Sequence, residues 1–224
     1  MNRYVLKFAK EGYSRFTSHL DMLRLFKRAF KRSGISLVYS QGFNPHPKLG
    51  FAQPLSLGYT SVCELLEFET EDAYNPDQIK DFLAPIMPEG ITILQCSPMA
   101  KEIKSLASSA VAAEYRVLFP VKRSDRDYEG ILKDYLAQDQ IMAEKRQKKT
   151  KKMVSADIRP KIRDIQIAEG NQLTLDMRLD CGSQSNLSPE QVISSFIAFA
   201  QIPAERQEIR VERRNIIFYK NLHF

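Results

Sequence analysis

The sequence has few of the residues from which cofactor sites are built. Its three cysteines, Cys63, Cys96 and Cys181, are far apart, and none has a second cysteine or a histidine at metal-ligand spacing. No zinc site or iron–sulfur cluster can therefore be read from this chain. Cys63 and Cys181 fall in strand-like runs, where a free thiol acts as a small buried hydrophobe rather than a nucleophile. There is no Walker A sequence and no glycine fingerprint for a dinucleotide. No cofactor is expected in this chain itself. No apolar run approaches the roughly 18 to 20 residues needed to span a bilayer. The opening "MNRYVLKFAK" alternates and lacks the apolar core and small-residue cleavage site of a signal peptide. The expectation is a cytoplasmic protein with no membrane partner.

What is present is ordinary globular composition. The 224 residues are 43% hydrophobic and 27% charged, enough for one large domain or two small ones with real cores. The formal net charge is +6 and the sequence pI is about 9.2, which favours a polyanionic partner without specifying one.

The clearest element is a helix from about Ser18 to Arg32 in "FTSHLDMLRLFKRAFKRSG". Ser18 followed three residues later by Asp21 fits a capping box, with Asp in place of Glu, and Gly34 supplies the stop. Leu23, Phe26 and Phe30 form an apolar stripe, while Arg24, Lys27, Arg28, Lys31 and Arg32 populate the opposite side. Around this helix the first half reads strand, helix, strand, strand, helix, strand, the order of a ferredoxin-like split βαβ unit. The second half repeats the plan, with "EYRVLFP", "DYEGILKDYLAQ", "QLTLDMRLDC", "PEQVISSFIAFAQ" and "EIRVERRNIIFY" as its most regular segments, and "ADIRPKIRDIQI" as an extended one. The expected fold is α+β, with two ferredoxin-like halves in tandem and helices packed on one face of antiparallel sheets. The halves are expected at 1–100 and 114–224, joined by the Ala- and Ser-rich linker 101–113.

Three stretches carry side chains that local structure does not need. In "RFTSHLD", Arg15, His19 and Asp21 cluster at the start of the basic helix, where open backbone N–H groups make an anion site. In "SQGFNPHPK", Pro45 and Pro47 push Asn44 and His46 into extended or turn conformations, presenting Asn44, His46 and Lys48 on a stiff edge. In "KRQKKTKKMVSADIRP", Lys145, Arg146, Lys148, Lys149, Lys151 and Lys152 crowd the expected turn of a hairpin that leads into Asp157, Arg159 and Pro160. Each stretch has a plain reading: a capped helix start, a solvated connection and a solvated loop. Each also suits RNA, with cations on phosphates and stiff polar segments on a base or sugar. His19 and His46 are the residue types for acid–base cleavage of an RNA backbone, and the sequence does not say whether they meet.

The motifs "RFTSHLDMLRLFKRAFKRSGI" and "YSQGFNPHPKLGFAQPLSLG", over roughly residues 15 to 58, resemble a bacterial family called radical SAM-linked or radical SAM-associated, a domain of unknown function. "DIRP" resembles a further signature of that family. The resemblance implies a B12-binding radical SAM protein as partner. SAM, the iron–sulfur cluster and cobalamin would reside in that partner alone.

The leading expectation is an RNA-binding accessory protein that presents tRNA or rRNA to the modification enzyme. Arg15, Arg24, Arg28, Lys31, Asn44, Lys48, Lys145, Arg146, Lys148, Lys149, Lys151, Lys152 and Arg159 are its expected contacts. One alternative is an RNA-directed enzyme, an endoribonuclease or a pseudouridine-synthase-like protein, using His19 and His46 or Asp21 and Asp157. Another is a protein-interaction module for the radical SAM chain.

Overall fold

The computed structural model describes residues 2–100, 102–146 and 152–219. The chain divides into two compact units, Met1–Ala110 with Arg213–Phe224, and Val111–Glu212.

In the first unit, β1 (Asn2–Lys10) is followed by α1 (His19–Ser33), β2 (Leu49–Phe51), β3 (Thr60–Thr70), α2 (Pro76–Leu83), β4 (Ile91–Pro98) and the single turn α3 (Leu106–Ser109). The helix starts are set locally. The Ser18 side chain accepts from the Asp21 amide at 3.2 Å, and Asn75 and Gln78 form a reciprocal capping box at α2. Gly34, at φ 77°, ends α1 in the left-handed conformation that glycine adopts without a Cβ penalty. The apolar side of α1 is set by Met22, Phe26, Ala29 and Phe30, all buried, with Leu25 and Leu23 half-buried.

β1 runs antiparallel to both β3 and β4. Leu66 of β3 pairs with Leu6 of β1 and also with Phe51 of β2, so β3 lies between β1 and β2. Both neighbours are antiparallel to β3, hence parallel to each other, and α1 joins them. This is the split βαβ arrangement. One sheet face packs Tyr4, Leu6, Phe8, Leu66 and Phe68 against α1 and α2. The other face carries Val5, Cys63 and Leu65, covered by Met99, Ile103, Leu106, Ile216 and Phe218.

Part of that second layer comes from residues 102–113, which bury Ile103 and Leu106 and include α3 and the start of the next strand.

The second unit contains β5 (Ala110–Lys122), α4 (Tyr128–Ala137), β6 (Met142–Arg146), β7 (Met153–Asp157), β8 (Ile162–Ile167), β9 (Gln172–Asp180), α5 (Pro189–Ala200) and the start of β10 (Arg210–Phe218). Leu175 of β9 pairs antiparallel with Val117 of β5 and with Ile167 of β8, so the split βαβ arrangement recurs. Phe196 of α5 packs edge-on to Phe119 and Tyr135, at centroid distances of 6.2 and 5.2 Å. Between α4 and β8 the chain makes a separate β6–β7 hairpin. "ADIRPKIRDIQI" is thus not one extended segment. A 3₁₀ turn at Arg159–Lys161 interrupts it, where Pro160 has no backbone donor for a ladder. The molecule is an α+β protein built on antiparallel strands with helices packed against them.

Candidate functional site

The first unit buries three charged side chains beside one another. On β1 the core-facing residues Tyr4, Leu6 and Phe8 are followed in phase by Lys10, and on β3 Glu64 precedes Leu66 and Phe68 in phase. Phe8 and Glu64 are cross-strand partners. Period-2 alternation therefore carries both ionic groups onto the helix-covered face. Arg213 donates from Nε to Glu64 Oε1 at 2.9 Å and from Nη2 to both carboxylate oxygens at 2.6 Å, with a further bond to the Gln53 carbonyl at 2.9 Å. Lys10 Nζ donates to the Thr17 carbonyl at 2.8 Å. Exposure is 3% for Lys10, 3% for Glu64 and 1% for Arg213. Burial lowers the Lys10 pKa, Glu64 partly opposes that shift, and the Arg213 charge adds to it.

Above these groups lies a small half-open cleft whose cavity is about 20 Å³, room for about one water. Phe8, Met22, Phe51 and Leu55 form its apolar lining, and Lys10, Glu64 and His19 supply its polar groups. Phe51, the last residue of β2, meets His19 in an edge contact at 5.3 Å and packs on Phe26 at 5.8 Å. His19 opens α1, so its ring stands at a helix start whose first N–H groups have no intrahelical partner. Flanking chain segments expose Phe16, Leu20 and Leu57, and the Gly58 amide donates to the Arg15 carbonyl at 2.9 Å. Arg15 itself lies over the Phe16 ring, 4.8 Å from its centroid.

Of the four residues expected as catalytic candidates, His19 lines this cleft and His46 does not. His46 is exposed in a narrow closure in which Ser40 N donates to the His46 carbonyl at 2.8 Å, and His46 N donates to Ser40 Oγ at 3.0 Å. Lys48 N continues the closure on the Val38 carbonyl at 2.8 Å, and Lys48 Nζ pairs with Glu69 at 2.9 Å. The tip presents Phe43 fully to solvent, with Asn44 exposed beside it. Asp21 is exposed and held below the usual carboxylate pKa, first by the Ser18 hydroxyl and then by Arg24. Its contacts are those of a cap.

Asp157, in the second unit, uses one carboxylate oxygen to accept from the Ile141 amide at 2.9 Å and the Arg159 amide at 3.0 Å. Arg159 Nε donates to the Leu136 carbonyl at 3.0 Å, near the end of α4. The "DIRP" segment thus closes the base of the β6–β7 hairpin and ties it to α4.

Besides Arg15, Lys48 and Arg159, the cations expected to meet RNA fall into two groups. On α1, Arg24, Arg28 and Lys31 are exposed opposite the buried stripe, as are the neighbouring Lys27 and Arg32. In the second unit Lys145 and Arg146 belong to β6 and Lys152 is exposed. Lys148, Lys149 and Lys151 lie outside the described residues. Among the described residues there is no group of three or more His, Cys, Asp or Glu side chains that could hold a metal ion, and no helix is long and apolar enough to cross a membrane.

The Lys10–Glu64–Arg213 cluster was not among the expected sites, although its alternation phase is a sequence signal for two of the three. Fold and site together define an α+β protein of repeated split βαβ units with a half-open cleft over buried charges. Residues 3–189 match the model of a family described as "Uncharacterized protein conserved in bacteria (DUF2344)", and the chain belongs to that family. No curated protein matches it. Among solved structures it is similar to a chain of "Crystal Structure of a Cbf5-Nop10-Gar1 Complex", with 10% identity, a TM-score of 0.49 and 95% of this chain covered. It spans 48% of that chain, about half its length.

Proposed function

We propose that this protein binds structured RNA, tRNA or rRNA, and presents it to a radical SAM modification enzyme. The observation that carries the reading is the α1 surface, where five cations are exposed on the side of the helix opposite its core stripe. A row of solvent-facing Arg and Lys on a rigid helix matches the requirement for neutralising consecutive phosphates. The radical SAM partner is supported by the "SHLD" and "GFNPHPK" motifs, and B12, SAM and the cluster would belong to that partner.

The test is binding of the pure protein to total cellular RNA across a salt series. Phosphate contacts release counterions, so affinity must fall steeply as salt rises. Affinity independent of salt, or unaltered when Arg24, Arg28 and Lys31 are neutralised together, overturns the reading. Co-purification with a radical SAM protein in the absence of any RNA affinity would assign the chain instead to protein interaction.

One observation favours a catalytic version of the same reading: His19 lines a cleft whose floor holds a buried lysine and a buried carboxylate. Incubation with RNA followed by analysis of cleavage and of nucleosides separates the two. Activity lost in His19→Ala with RNA affinity retained would establish the enzyme.

A further inference from the structure

We infer that the exposed rings of Tyr13 and Phe16 form an open stacking platform for unpaired bases of the bound RNA, beside the head of the cationic row on α1. The inference rests on the RNA-binding reading and names the part of the RNA that this surface takes.

Tyr13 and Phe16 belong to a 3₁₀ turn, Gly12–Phe16, that lies between β1 and α1 and buries none of its residues. Side chains three apart in a 3₁₀ helix eclipse, so the two rings leave the turn on the same side. Tyr13 is 90% exposed and Phe16 56%, and neither ring contributes to the core.

The backbone beneath the rings is held from several directions. Glu11 N donates to the Gly90 carbonyl at 2.8 Å, and Ser14 Oγ donates to the Glu89 carbonyl at 2.8 Å. Lys10 Nζ and the Gly58 amide hold the carbonyls of Thr17 and Arg15. A Cβ at position 90 would meet the Glu11 carbonyl at 2.5 Å, so glycine permits this close approach. Rings carried on a fastened turn lose less freedom when a ligand covers them than rings on a loose loop would.

Scattered exposed apolar residues are ordinary, but here they gather. Leu57 is exposed next to the Gly58 amide that bonds Arg15, and Leu20 is exposed in the first turn of α1. At helical spacing Leu20 is followed on the same face by Arg24, Arg28 and Lys31, all exposed. Arg15 lies over one face of the Phe16 ring, which leaves the other for a planar partner.

The charges select the occupant. An apolar protein surface laid over the rings would bring nothing to pair with the neighbouring cations. An unpaired nucleotide brings a π face for the rings and a phosphate for the cations, the combination that single-strand readers use. Every base has a π face, so the platform favours unpaired bases over paired ones without reading a sequence.

The experiment uses the full chain and two RNA hairpins with one stem, the first with a loop of ordinary nucleotides and the second with an abasic loop of equal length. The abasic hairpin reads the phosphate contacts, and the ratio of the two affinities reads stacking. The wild type should favour the ordinary loop about fivefold to a hundredfold, the range set by a single stacked base. Phe16→Ala and Tyr13→Ala, both at exposed positions, should each shrink that ratio, and Phe16→Tyr, which keeps a ring, should retain it. Equal affinities in the wild type, a ratio intact in either alanine variant, or a ratio as small in Phe16→Tyr as in Phe16→Ala overturns the inference while leaving RNA binding in place. Failure of both hairpins to bind in a salt-dependent way defeats the RNA-binding reading itself, and this inference with it.

Discussion

Arg213 and Glu64, 149 residues apart in sequence, form a two-pronged ion pair in which both side chains are almost completely removed from water. The pair lies in the interior of the first unit, and Glu64 also lines the cleft. Burying two charges costs several kcal/mol per ion, which a well-made pair largely offsets and a broken one does not. Either Arg213→Leu or Glu64→Leu should therefore lower stability by about 3–5 kcal/mol. The double substitution should lose less than the sum, because neither Arg213 nor Glu64 is then left without the other. Urea unfolding of the three variants measures the coupling, and additive losses would mean that the two groups do not depend on each other.

The same contact shows what can be read from a sequence of this kind. Element order was legible because each segment has its own period: the α1 stripe through Phe26 and Phe30, and the strict alternation of β9. Lys10 and Glu64 were legible in principle. Each stands in phase with an apolar strand face, where a charge is either the strand's end or a buried group with a partner. Arg213 was not legible, since "VERRN" gives three charged residues in a row and only tertiary pairing selects the middle one for burial. Asp157 is a different case. Its carboxylate accepts from the Ile141 amide and from the Arg159 amide two residues on, the latter a local use that resembles an Asx turn.

That local use leads to a prediction for the second unit. Asp157→Ala strands two backbone donors at the hairpin base, which should cost about 1–3 kcal/mol. Asp157→Asn keeps a carbonyl oxygen in place and should cost distinctly less. Hydrogen exchange at the Ile141 and Arg159 amides is the direct measurement. Faster exchange at both in the alanine variant, with the asparagine variant near wild type, is the expected pattern, and equal effects of the two variants would contradict it.

The buried thiols give a pH dependence of definite sign. Burial pushes Cys63 from the ordinary 9.0 up to about 11, against a smaller opposing effect of the Ser61 hydroxyl, and pushes Cys96 up to about 12. A thiol whose folded pKa is raised stays protonated in the native state while the unfolded chain releases its proton. The associated stability is therefore fully present below about pH 9 and is lost as pH rises through 11 and 12. At about 1.4 kcal/mol per pKa unit, Cys63 alone contributes on the order of 3 kcal/mol to this loss. The stability difference between wild type and Cys63→Ala should shift against wild type by about that amount between pH 9 and 11. A difference constant across that range would contradict the assignment. All three cysteines are buried, so a thiol reagent at pH 8 should label them only on unfolding.

Asp21 and Arg24 permit the most direct probe of the basic helix. Their carboxylate and guanidinium are joined at 2.9 Å, with side-chain exposures of 54% and 69%. An exposed pair of this kind is weak and screened by solvent, so an RNA phosphate can take Arg24 from Asp21 at little cost. The carboxylate nevertheless remains as a negative charge at the head of the cationic row. Asp21→Asn removes that charge and leaves Ser18 as the cap, weakening the helix start slightly through the lost dipole interaction. RNA affinity should rise by a fewfold at low salt, and the gain should shrink as salt screens the repulsion within a Debye length of about 8–10 Å. Arg24→Gln should act in the opposite direction and reduce the slope of log affinity against log salt by about 0.9 for a duplex phosphate contact. Binding that weakens in Asp21→Asn, or a salt slope unchanged in Arg24→Gln, would place the RNA away from this face of α1.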